Sequence, residues 1–210
     1  MRMNSQSWKR LFTPNIRSKP DNKIFIWGNK TIIRPKKRKD IENDFQWRTD
    51  TELSELDATV PINLSYEQFE RISINELSKS SQWSEKFSIE NYENKHIGNC
   101  MFYDINRWEK SCEFGIMIGD KSFWNGGYGT DATINMLYYI YTETEIENVF
   151  LHTLQTNIRA QKAFSKSGFS SPKEVKKGRY KFFKMTTNKD DWLKKFSKVD
   201  IKIIPEEEKD

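Results

Sequence analysis

Three glycines fall within four residues in the stretch Phe123-Trp124-Asn125-Gly126-Gly127-Tyr128-Gly129-Thr130-Asp131-Ala132. Before it, Phe114-Gly115-Ile116-Met117-Ile118 reads as a short buried strand, and the residues after it read as a helix. A strand, a glycine turn and a helix start leave backbone N–H groups facing outward, where they bind anions. A phosphate carried on a cofactor is the expected anion. The segment is not a nucleotide P-loop, since no Gly-Lys-Ser/Thr follows. It is a poor dinucleotide fingerprint, because the six-residue glycine spacing and an early βαβ unit are missing. A glycine-rich turn that only starts a helix is the alternative.

A second segment, Asn157-Ile158-Arg159-Ala160-Gln161-Lys162-Ala163-Phe164-Ser165-Lys166-Ser167-Gly168-Phe169, begins just after the next expected strand. Its asparagine caps a helix and also offers an amide to a ligand. His96 and His152 read as packed or surface groups, and Cys100 and Cys112 as ordinary buried thiols. No spacing typical of zinc or EF-hand sites occurs, so no metal is expected.

The elements that must position these residues follow from periodicity and turn chemistry. Residues 1–29 hold Pro14, Pro20 and mixed charge, and read as a basic N-terminal extension. Thr31 to Arg34 is a short strand closed by Pro35, and Asp40 is the expected N-cap of a helix through Trp47. Residues 50–63 read as loop with a helical turn near Leu53 and Leu56. Ser65 opens a helix with a capping-box pattern. Strands at Lys86 to Asn91, His96 to Ile105 and Cys112 to Ile118 form an antiparallel meander. A helix from Thr130 to Thr144, a strand from Val149 to Leu154, and a helix from Asn157 ended by Gly168 come next. Lys181 to Thr186 is a last strand, followed by a helix near Asp190 to Phe196. The fold class is α+β, a mixed sheet with helices on its faces.

The 210 residues suit one domain, taken as 30–198, with extensions. Seven Trp and fourteen Phe supply a core of large rings. No apolar run is long enough for a membrane helix, and no apolar leader follows the basic N-terminus. Two cysteines fit a reducing, cytoplasmic setting. The net charge of +5 is uneven. Residues 1–40 hold twelve Lys and Arg against two Asp and Glu, whereas residues 41–120 hold seven against sixteen. Residues 199–210 read as an acidic tail. A basic arm over residues 1–40 offers a patch for RNA or the ribosome, and the acidic middle suits a cationic partner.

Taken together, the two segments resemble the GNAT acetyltransferase superfamily, most closely its ribosomal-protein N-acetyltransferase-like branch. That branch shows Gly-x-Gly-Tyr-Gly-Thr-Glu-Ala and Asn-x-x-Ala-x-x-x-Tyr-x-Lys-x-Gly-Phe. Here Asp131 stands for the Glu and Phe164 for the Tyr. Ile33-Arg34-Pro35, Asp40 and Trp47-Arg48-Thr49-Asp50 keep the branch's order, and the likeness covers roughly residues 30–187. The resemblance implies a mostly antiparallel sheet splayed at its centre, with acetyl-CoA in the gap. The main chain of Met117 and Ile118 would pair with pantetheine amides. The N–H groups of Asn125, Gly126, Gly127, Tyr128, Gly129 and Thr130 would hold the pyrophosphate. Asn157 would bond the pantetheine arm and Phe164 would pack near the thioester. Relatives place Gln or Arg at the position of Trp124. Glu113 is the expected base for direct attack of a primary amine on the thioester. Phe164 cannot act as the acid, which leaves Tyr128 and Tyr103 as substitutes.

The acceptor implied is a small cationic amine, an antibiotic or a protein N-terminus, drawn in by Asp44, Asp50, Glu52, Glu55 and Asp57. A homodimer is compatible with the pattern. A binding module that has lost catalysis is the alternative raised by Phe164 and Trp124, and an RNA-associated protein is the alternative raised by the basic arm.

Overall fold

The computed structural model describes residues 24–79 and 81–205. Within them runs one nine-stranded sheet. Its strands are β1 (Ile24–Trp27), β2 (Thr31–Pro35), β3 (Ser84–Asn91), β4 (His96–Asn106), β5 (Ser111–Ile118), β6 (Asn148–Leu154), β7 (Ser170–Lys177), β8 (Tyr180–Asn188) and β9 (Lys202–Pro205). The spatial order is β7-β8-β6-β5-β4-β3-β2-β1-β9. Every neighbouring pair is antiparallel except β5 and β6. The expected mixed, mostly antiparallel sheet is therefore present.

Three helices connect β2 to β3: α1 (Ile41–Thr49), α2 (Thr51–Leu56) and α3 (Tyr66–Leu77). Asp50 starts α2 by accepting from the Leu53 N–H at 2.9 Å, and Ser65 and Gln68 form the expected box at α3. The parallel pair needs a crossover, and α4 (Tyr128–Glu143) supplies it. Next come α5 (Ile158–Lys166), capped by Asn157, and α6 (Lys189–Lys195), capped by Asn188.

Alternation along the strands assigns the faces. Cys112 and Phe114 of β5 join Ala132, Met136 and Ile140 of α4 in the main core. Glu113, Gly115 and Met117 therefore face the other way, opposite Tyr103, Met101 and Asn99 of β4. That second face carries α1 to α3: Asn99 bonds Asp44 of α1, and Lys86 of β3 pairs with Glu76 of α3.

Two buried carboxylates fix the outer elements. Asp131 of α4 accepts from the backbone N–H groups of Asn29, Lys30 and Thr31, from the Thr31 hydroxyl at 2.7 Å and from Asn135. It thereby ties the β1–β2 turn to the start of α4. Asp40 takes both terminal nitrogens of Arg34 at 2.8 and 2.7 Å, and Glu90 takes Arg34 at 2.6 Å. Asp40 stands at the N-cap position of α1 as expected, but without the side-chain cap that the position suggests. It ends a short 3-10 turn and its side chain caps no helix N–H of α1. Its oxygens are spent on Arg34, Ser88 and the Lys37 N–H instead.

Three strands depart from the sequence expectation. Ile24–Trp27, read as extension, pairs with β2 and with β9. Lys202–Pro205, read as tail, is that β9 partner, because Ile203 packs against the core cluster. Ser170–Lys177 forms β7 although Pro172 and its lysines hide any apolar alternation; pairing with β8 organises it. The rest of the basic extension (1–23) and of the acidic tail (206–210) lies outside the described residues.

Candidate active site

The parallel ladder between β5 and β6 is short. It joins Ser111–Glu113 to Asn148–Phe150 and no further, so the two strands part beyond Glu113. The glycine loop and α4 leave from the parted end of β5, and α5 leaves from that of β6. A cavity of about 420 Å³ fills the gap. Met117, Ile118, Asn125, Gly127, Gly129, Thr130, Asn157 and Phe164, eight of the ten residues named from the sequence for the cofactor, line it.

Gly126 and Tyr128 do not line it. The Gly126 carbonyl accepts from the Lys30 ammonium at 3.0 Å, and the Tyr128 ring sits edge-on to Phe123 at 4.9 Å. The loop needs two left-handed residues, Asn125 at φ 62° and Gly127 at φ 85°. Asn125 falls where the branch pattern has its first glycine, and Asn is among the few side chains that tolerate this conformation. The first rung of α4 runs from the Asp131 N–H to the Gly127 carbonyl at 3.0 Å. The N–H groups of Tyr128, Gly129 and Thr130 precede that rung and have no partner within the helix. Arg159, Lys162 and Lys166 of α5 also line the cavity. Amides at a helix start facing three cations fit a diphosphate.

Sequence reasoning missed how Trp124 serves the site. Its indole N–H donates to the Ile118 carbonyl at 2.7 Å, and the Arg159 guanidinium lies 3.3 Å above its ring centroid. The Ile118 carbonyl expected to meet pantetheine therefore already holds a donor. Where the branch pattern has Gln or Arg in the loop, this chain has Trp124, and a cation reaches the cavity from α5. Its signal was present in the sequence: Arg159 stands two residues after the capping Asn157, in the first turn of α5.

Glu113 lies outside the cavity lining, on the face of β5 that also carries Met117, and is 8% exposed. Its Oε1 is 2.7 Å from Nδ1 of His152 on β6, so this histidine is more than packing. Tyr103 stands across the strand pair from Glu113. Burial, the Glu113 charge and hydrogen bond, and the smaller effects of the Asp104 and Asp57 charges push the Tyr103 hydroxyl well above the usual phenol range. Three polar groups from β4, β5 and β6 thus meet where the sheet begins to part. Asp57, at the end of α2, lines the cavity mouth and pairs with Arg48 at 3.3 Å. Desolvation raises its pKa despite Arg48.

Most of the carboxylates expected to attract a cation are already paired. Asp44 bonds Lys36 and Asn99, and Asp50 and Glu52 share Lys121 at 2.8 and 2.7 Å.

No helix among the described residues is long and apolar enough to cross a membrane. No curated protein matches the chain. The fold is similar to that of a spermidine N-acetyltransferase from Vibrio cholerae solved with CoA and spermine. The TM-score is 0.68 at 18% identity, over 78% of this chain and 98% of that one. It is similar also to an acetyltransferase of the GNAT family from Bacillus anthracis, with a TM-score of 0.67 at 18% identity, over 79% and 99% of the two chains. The model of the acetyltransferase (GNAT) domain matches residues 30–170. The chain belongs to the GNAT acetyltransferase family.

Proposed function

We propose that this GNAT enzyme acetylates a primary amine, with Glu113 as the base and the glycine loop as the phosphate cradle. The observation that carries the reading is the placement of the Glu113–His152 pair at the point where β5 and β6 part. A cradle of amides and cations sits at the open end of the same gap.

Acetyl-CoA supplies an activated acyl carbon. The Gly129 and Thr130 amides, with Arg159, Lys162 and Lys166, would hold its phosphates, and Asn157, Phe164 and the main chain of Met117 would line its arm. The amine nitrogen bonds to the acyl carbon, the C–S bond breaks, and the nitrogen gives up one proton. Glu113 takes that proton through a bridging water, because its carboxylate does not line the cavity itself. His152 holds the carboxylate in one orientation. Phe164, buried against Phe169, has no proton to give. The leaving thiolate is the weaker base and departs without that help.

Thiol release from acetyl-CoA with a panel of primary amines tests the reading, alongside Glu113→Gln. The expected result is a fall in kcat of about 10² or more with CoA affinity unchanged. Undiminished turnover in that variant removes Glu113 as the base. Absence of CoA binding by calorimetry removes the cradle.

A further inference from the structure

The face of the sheet that carries Glu113 continues across β6, β8 and β7. Directly paired residues share a face, and the register pairs His152 with Lys184, Lys184 with Lys173, and Tyr180 with Lys177. Contacts agree with that assignment. The Lys177 ammonium is 3.4 Å from Nδ1 of His152, and the Lys184 ammonium is 4.0 Å above the Phe150 ring. Glu174, the one acid between Lys173 and Lys184, pairs with Phe183 and so falls on the other face. At the β7–β8 turn, Arg179 and Tyr180 share an open hollow with Arg48 and residues 58–64. Lys173, Lys177, Arg179 and Lys184 have no carboxylate partner among the described residues.

The acceptor side therefore has two poles. Glu113 stands opposite Tyr103 at the parting of the sheet, and cations without a carboxylate partner among the described residues follow along β8 and β7 beside aromatic rings. A free polycation meets a poor match there, since Asp44, Asp50 and Glu52 are neutralised by lysines. A molecule with an amine at one end and a negative group at the other matches both poles.

We propose that the acceptor is an anionic amine, a primary amine whose molecule also carries a carboxylate or phosphate, with the negative group over Lys177, Arg179 and Lys184. This rests on the acetyltransferase reading above. The amino end faces Glu113, where the proton leaves. The negative end is held by lysine and arginine charges that ring faces partly shield from water.

The test is kcat/KM of the full chain for three acceptors: a short acidic peptide amine, an amino-sugar phosphate and spermidine. Calorimetry of each acceptor with the CoA-loaded protein runs beside it. The expected result is a preference of about tenfold or more for one of the two anionic acceptors over spermidine, in rate and in binding, that shrinks with salt. Which anionic acceptor leads tells carboxylate from phosphate. Lys184→Gln and Arg179→Gln should each cut the anionic acceptor's kcat/KM about threefold to tenfold, and Arg179→Gln, at the β7–β8 turn away from the reacting groups, should leave spermidine unchanged. Preference for spermidine, or anionic turnover unmoved by both variants, overturns the inference while the acetyltransferase reading stands. Thiol release with none of the amines, while CoA binds, overturns both.

Discussion

The guanidinium of Arg159 rests 3.3 Å above the ring of Trp124, joining the first turn of α5 to the glycine loop. No carboxylate among the described residues pairs with Arg159, so its charge is available to the cavity it lines. A stacked, partly desolvated guanidinium contributes about 1–2 kcal/mol through the ring. Trp124→Ala releases it and also frees the Ile118 carbonyl. The expected outcome is CoA binding weakened about tenfold by calorimetry, with Arg159→Gln giving a similar loss. The double variant should lose little more, because both changes remove one unit. Affinity unchanged in Trp124→Ala would show that the stack plays no part in binding.

Asp131 should matter to stability as much as to the site. Its carboxylate gathers three backbone N–H groups, a hydroxyl and an amide, and holds the turn that brings Lys30 to the Gly126 carbonyl. Asp131→Asn replaces an acceptor oxygen with a donor among donors. A loss of about 2–4 kcal/mol is expected in urea unfolding. Asp131→Glu keeps the charge and should recover part of it.

Gly127→Ala separates backbone conformation from space. A methyl group there meets only the Lys30 side chain, at 3.9 Å, yet the residue sits at φ 85°. The strain should cost about 1 kcal/mol and turn the loop amides away from the phosphates. Reduced Tm together with a several-fold weaker CoA affinity is the expected pair of results.

The Arg34–Asp40 pair predicts an acid limb of stability. Burial alone would raise the Asp40 pKa. The Arg34 hydrogen bonds, the Lys37 N–H, the nearby His96 and the Ser88 hydroxyl outweigh it and hold the carboxyl far below 3.8. A depressed carboxyl stabilises the fold fully above its unfolded pKa, and that stability is lost as pH falls towards the folded one. Unfolding free energy should therefore drop steadily below about pH 4. In Asp40→Asn, less stable at neutral pH, this part of the slope should be absent. An unaltered slope in that variant would assign the acid sensitivity to other groups.

Local chemistry was legible in the sequence. Ser65, Asn157 and the glycines announce their helix starts and turns because capping and left-handed conformations depend on a few adjacent residues. The meander and the crossover helix follow from alternation and period, and those place Glu113 on a strand and the glycine loop before a helix. β7 escaped, since Pro172 and a run of lysines carry no pattern of their own and only the β8 ladder orders them. β1 and β9 escaped because each is four residues long and is defined by the other.

The site divides along the same line. From the sequence alone came the glycine loop ahead of a helix and the capping asparagine, by residue type and spacing, and the choice of Glu113 as base, by the family resemblance. The fold alone decided that His152 reaches Glu113 across 39 positions, that Arg159 lies on Trp124, and that Lys36 and Lys121 cancel the acids expected to draw a cation. Capping and turn preferences act over a few residues and so are written in order along the chain. Charge pairing and stacking act through space, between residues that only the folded sheet brings within a few ångströms.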